Sequence, residues 1–138
     1  MTRKISWLIG VGDAVMLLLF AFGGEVTHEL FYPGSLILSV LHVALPFLIV
    51  WFPAAYLLDV LDDASAAQPK VWLYRTLGAW LIAAPLGIVV RGWLIGRDVI
   101  PTAFLLTTYG FGIALLLGWR LIFIALIRFG VVRRARGA

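Results

Sequence analysis

The sequence predicts an all-α integral membrane protein: a four-transmembrane-helix antiparallel bundle with both termini in the cytoplasm. Three observations carry that expectation. Of 138 residues, 63% are hydrophobic and only 13% charged, and the mean hydropathy is +1.05. A soluble domain carries about 25% charge and about 45–50% apolar residues, so this chain cannot cover a water-facing surface with polar groups. Four stretches reach the roughly 20 helical residues that a ~30 Å hydrocarbon core requires. Lysine and arginine, finally, gather at one end of those stretches.

The first span is expected over residues 5–24, after Thr2-Arg3-Lys4. Asp13 interrupts its apolar run and no small-x-small cleavage site stands near residue 24, so it reads as an uncleaved span rather than a signal peptide. The second span, over 35–61, is charge-free to Leu58 apart from His42. The third, over 71–94, has no charge between Thr76 and Val90, and the fourth, over 102–129, none as far as Trp119. Backbone amides in lipid must be satisfied within their own segment, which leaves helices. A β-barrel would show polarity alternating at every second residue, and these runs do not. The whole chain, 1–138, is thus one transmembrane domain. Its connections, 25–34, 62–70 and 95–101, are too short to hold a soluble catalytic domain.

Alternating spans put Arg3, Lys4, Lys70, Arg75, Arg120, Arg128, Arg133, Arg134 and Arg136 at one face and only Arg91 and Arg97 at the other. The positive-inside rule assigns the richer face to the cytoplasm. Trp7, Tyr56, Trp72 and Tyr74 then form an inner aromatic belt, with Tyr32 and Trp93 at the outer interface. A net charge of +4 and a pI near 10.0 would suggest nucleic acid in a soluble protein. Here the basic residues flank apolar runs, so the partner they predict is the head-group layer of a bilayer, and no nucleic acid. With no cysteine, thiol redox chemistry, disulfides and Cys-zinc sites are excluded.

Small residues recur at four-residue spacing: Ala79, Ala83 and Gly87 on the third span, Gly110, Ala114 and Gly118 on the fourth. Such rows let helix backbones approach closely where lipid supplies no hydrophobic drive. Matching depths pairs Gly87 with Gly110, Ala83 with Ala114 and Ala79 with Gly118, within one chain or across a homodimer. Pro46, Pro53 and Pro85 each remove one helical hydrogen bond, freeing the carbonyls of His42, Ile49 and Leu81. They read as packing kinks or, beside His42, as part of a ligand or ion site.

Asp13 is the most informative residue, ~12 Å into the first helix. A carboxylate at such depth costs at least ~2.5–3.5 kcal/mol on insertion scales and normally faces a partner inside the protein. Arg75 and Arg120 both lie within reach along their long stems, and Asp59 would serve whichever arginine Asp13 leaves. The resulting group reads as an ion pair that fixes helix packing, as a protonatable transport site, or as the floor of a solvent-filled vestibule. At the opposite face Glu25, His28, Glu29, Arg91, Arg97 and Asp98 form a polar cluster. Two carboxylates around a histidine lack a third ligand at metal spacing, so solvated charges pairing with the two arginines are expected there, and no metal. His42 stands alone in its span, either hydrogen-bonded to a neighbouring helix or binding a ligand, as an imidazole on a haem or chlorophyll-type metal would. No Ser–His–Asp grouping, nucleophile elbow, phosphate loop or dinucleotide fingerprint is present, so no catalytic residues and no enzyme activity are expected.

Gly12-Asp13, Phe20, Gly23 and His28, then Ala44, Pro46 and Phe47, then Pro85-Leu86-Gly87-Ile88-Val89-Val90-Arg91, Pro101, Phe104 and Gly118-Trp119-Arg120 stand in the chain in this order. In that order they resemble a domain-of-unknown-function family of small prokaryotic membrane proteins. The resemblance covers nearly the whole chain and is most specific in the Pro-Leu-Gly…Arg element. It implies four spans and a prokaryotic cytoplasmic (inner) membrane home, and singles out Asp13, His28, Arg91 and Arg120, but implies no activity. Glu25 departs from it, standing in a stretch where the family pattern has a basic residue. The function expected is therefore a non-enzymatic accessory, assembly or lipophilic-ligand-binding subunit of a larger membrane complex, organised around a buried Asp–Arg pair. The alternative is a small proton-coupled transporter, acting as a homodimer with Asp13 as its protonatable site. No particular cofactor is implied.

Overall fold

Apolar runs this long leave their amides no partner but each other, and they wind accordingly. A computed structural model describes residues 3–28, 35–96 and 101–132, with side chains at 5–26 in the first of these stretches. Among the described residues there are five helices and no strand: α1 (Arg3–His28), α2 (Leu36–Leu57), the single turn α3 (Asp63–Ala66), α4 (Pro69–Ile95) and α5 (Thr102–Arg128). The four long helices are long and apolar enough to cross a bilayer, which makes the chain a multi-pass membrane protein. Tyr32, Glu29, Arg97, Asp98 and the C-terminal Arg133, Arg134 and Arg136 lie outside the described residues, as do the side chains of Arg3, Lys4 and His28.

Two helix limits differ from expectation, each for a local reason. The second span was expected to run to Leu61, but α2 stops at Leu57. Asp59 adopts a left-handed backbone (φ 54°) and closes the helix: its own N–H donates to the Tyr56 carbonyl, and the Val60 N–H reaches back to Ala55 at 2.8 Å. That is the paired-bond ending usually built on glycine, and aspartate is one of the few other residues that tolerate it. Asp59 therefore stands beyond the helix rather than on it. At the other end, α1 continues through His28, so Glu25 is a helical residue and not part of a connection. α5 ends in the same paired-bond arrangement, here on Gly130 (φ 74°), with Val131 N–H donating to Leu126. Helices α2 and α4 run on through Pro46, Pro53 and Pro85.

α2 packs against α1 and α4, and α5 against α4 and α1, with the α2–α4 contact the most extensive. Bulky rings seat on small residues. The Phe47 ring of α2 covers Gly87, where a Cβ would meet it at 2.5 Å, and Trp80 of α4 fills the space over Gly112. Phe20, Phe47, Trp51 and Trp80 then form one aromatic core, with Phe20 and Phe47 edge-on at 5.2 Å. This corrects the expected ridge pairing. Ala79, Ala83 and Gly87 are buried, but Gly87 receives an α2 ring, and Gly110 and Ala114 face outward. The reason is angular. The buried face of α5 carries Thr108, Gly112, Leu116, Arg120 and Phe123, and residues two positions away point about 200° round the helix.

The outside is apolar, as lipid requires: Leu57, Trp93 and Leu106 are all highly exposed. Trp7, Tyr56 and Tyr74 are exposed too, as interfacial aromatics are. Trp72 is not. It is fully buried and its indole N–H donates to the Val60 carbonyl at 2.7 Å, so it belongs to the core rather than to a belt.

Candidate functional site

Each of the four long helices sends a side chain to one buried point. Asp13 from α1 and Arg120 from α5 have no exposed surface, and the guanidinium grips the carboxylate with two parallel bonds, Nη1 to Oδ1 and Nη2 to Oδ2, the latter at 2.8 Å. Trp51 of α2 donates its indole N–H to Asp13 Oδ2 at 3.1 Å. From α4, the Thr76 hydroxyl accepts the Arg120 Nε–H at 3.2 Å and itself donates to the Trp72 carbonyl at 2.8 Å. The Trp72 ring lies under the guanidinium, 4.8 Å from its centroid. Both carboxylate oxygens are thus occupied, and every nitrogen of the guanidinium donates. This is the condition under which charges survive away from water, since an unmatched charge there costs several kcal/mol.

The neighbours of the pair interlock as well. A Cβ on Gly12 would overlap the Trp119 indole, so the Gly12-Asp13 step on α1 receives the Trp119-Arg120 step on α5 as a unit: ring into gap, cation onto anion. The Trp119 Nε1 is buried with no hydrogen-bond partner among the described residues, so packing rather than polarity holds that ring. It rests edge-on against Phe123, 5.6 Å away.

Of the two arginines within reach of Asp13, the structure gives it Arg120. Arg75 lies instead near Asp59, at 3.8 Å, and donates to the Ser65 hydroxyl at 2.6 Å. Both partners of that second pair are substantially exposed.

The far cluster is rearranged more deeply. Glu25 was expected among solvated charges, but only 4% of its surface is exposed, and it accepts a hydrogen bond from Ser39 of α2. Its position on the inward face of α1's last turns explains the difference. Arg91 stacks its guanidinium over the Phe104 ring at 4.7 Å. His42 is half-buried on α2, one turn before Pro46. Among the described residues no three His, Asp or Glu side chains converge as a metal site would require.

Trp51, Thr76 and Ser39 are the participants that sequence reading missed. Thr76 had a signal, sitting four residues from Trp72 on the same face as Ala79 and Ala83. Trp51 and Ser39 had only depth to recommend them, which many other residues share.

A family profile described as a protein of unknown function (DUF3054) matches residues 10–123, the stretch that holds Asp13, Trp51, Thr76 and Arg120. Comparison with curated proteins and with solved structures found no match.

Proposed function

The chain belongs to the DUF3054 family, and from that premise and the geometry of its buried pair we propose a rigid, non-enzymatic accessory or assembly subunit of a prokaryotic cytoplasmic membrane. Its helices form an antiparallel bundle with both termini in the cytoplasm, as the distribution of Lys and Arg favours. The observation that supports a packing role is the full occupation of Asp13. A carboxylate that carries a transported proton must exchange it with water, whereas this one is held by a bidentate guanidinium and an indole N–H with no exposed surface. The pair ties the first span to the last. The bundle closes only when both are in place, and its apolar exterior is then presented to lipid and to a larger membrane complex.

The test is functional and structural together. In proteoliposomes under an imposed pH gradient, the wild-type chain is expected to leave proton flux at the level of protein-free vesicles. The paired apolar replacement Asp13→Leu with Arg120→Met is expected to recover most of the folded yield that either single change loses. A proton-coupled flux that Asp13→Asn abolishes would overturn the reading in favour of a transporter.

A further inference from the structure

Beside the single turn α3, where α4 begins and α5 ends, a groove of about 220 Å³ opens at the surface. Ala66, Ala67, Pro69, Ile124 and Ile127 make its walls apolar, and the one charged residue lining it is Arg128. Arg128 closes α5 ~20 Å beyond the middle of that helix, and a hydrocarbon core is only ~15 Å deep on either side of its midplane. The groove therefore lies where acyl chains give way to glycerol and phosphate. The residues around it agree with that depth, since Asp62, Gln68 and Lys70 are exposed at the same end of the molecule. Two other cations stand near α3: Arg75 is already engaged by Asp59 and Ser65, and the exposed Lys70 lies outside the groove lining.

We propose that this groove is a binding site for one anionic phospholipid. The glycerol and upper acyl carbons lie against Ala66, Ala67, Ile124 and Ile127, and the phosphate meets Arg128. Depth selects a lipid over a soluble anion, because the apolar walls face the layer in which lipid is the solvent. Charge selects an anionic head group, because the lining carries a guanidinium and no carboxylate. Basic residues at helix ends on one membrane face recognise anionic lipids with about 1 kcal/mol each, which is about fivefold in occupancy.

The experiment uses the full chain in mild detergent, stripped of lipid and offered phosphatidylglycerol or phosphatidylcholine, with retained lipid counted by native mass spectrometry. The expected result is a single saturable phosphatidylglycerol adduct, held about fivefold over phosphatidylcholine. Arg128→Gln is expected to erase that preference and Arg128→Lys to keep part of it. Ala67→Phe, which fills the groove without touching its charge, is expected to lower retention of both lipids. Arg128 is exposed at a helix end, so its substitution leaves the fold intact, and it decides the matter alone if Ala67→Phe does not fold. Equal retention of the two lipids by the wild-type chain would overturn the proposal. So would an adduct that survives Arg128→Gln but is lost when Arg133, Arg134 and Arg136 are together changed to Gln. Displacement of the lipid by millimolar inorganic phosphate would also overturn it, by showing that the apolar walls contribute nothing.

Discussion

Among the described residues the same chemical pair occurs twice, in two environments. Asp13 and Arg120 meet bidentately with no exposed surface, between the first helix and the last. Asp59 and Arg75 approach only to 3.8 Å, with side chains 63% and 39% exposed, beside the turn that follows α2. One aspartate and one arginine therefore serve two purposes, and surroundings decide which. At the inner site neither ion has water to return to, so each is committed to the other and to Trp51 and Thr76. At the outer site both remain hydrated, and the pair adds little beyond what water already gives. The contrast locates the specificity of the fold in the buried pair. α1 can lie in lipid at low cost only with α5 beside it.

The largest expected effect comes from leaving one inner partner alone. Asp13→Leu or Arg120→Met alone should each cost about 3–5 kcal/mol of unfolding free energy in detergent, because each strands a buried charge. The combined apolar replacement should cost clearly less than either single change. A measured cycle in which the losses simply add would mean that the two groups do not depend on each other, and the contrast with the outer pair would collapse. Trp51→Phe comes next. It keeps an aromatic ring but a smaller one and deletes the hydrogen bond to the Asp13 carboxylate, for an expected loss of about 1.5–3 kcal/mol. Gly12→Ala sharpens the comparison from the side of shape. Its methyl would displace the Trp119 indole and with it the Arg120 backbone, at about 1–3 kcal/mol for overpacking. An unchanged thermal midpoint in that variant would show that the ring is free to move aside.

The four helices were legible because hydropathy over twenty residues needs no knowledge of partners. Asp13 was legible for a related reason, since one charge in an apolar run must be neutralised by something at its own depth. What escaped was direction. The row Gly110, Ala114, Gly118 has the spacing of a packing ridge, but Arg120 had to point inward to reach Asp13, and that turns residues two positions away outward. The two expectations were incompatible on one helix, and electrostatics prevailed because a misplaced charge costs more than a misplaced glycine. Asp59 escaped differently. Nothing in Leu57-Leu58-Asp59-Val60 announces a helix end, because the residue that takes the left-handed backbone there is not glycine. Trp72 looked like a belt residue by depth alone, while its burial follows from the cation it supports and the Val60 carbonyl it caps.

The smallest effect belongs to the outer pair and is the most useful for the comparison. Arg75→Gln should cost less than about 1 kcal/mol, in the range of exposed ion pairs. What is lost should come mostly from the 2.6 Å bond to Ser65 rather than from Asp59. Two measurements separate these contributions. Asp59→Asn, which keeps the left-handed backbone within reach of the side chain, should be nearly neutral. Raising salt from about 0.05 M to 0.5 M, where screening shortens to a few ångströms, should remove the remaining difference between wild type and Asp59→Asn. The inner pair should be insensitive to the same change, since no ion reaches it. If Asp59→Asn instead proved as damaging as the loss of Asp13, hydration would not be what distinguishes the two pairs. The role of the buried pair would then rest on its bidentate geometry alone.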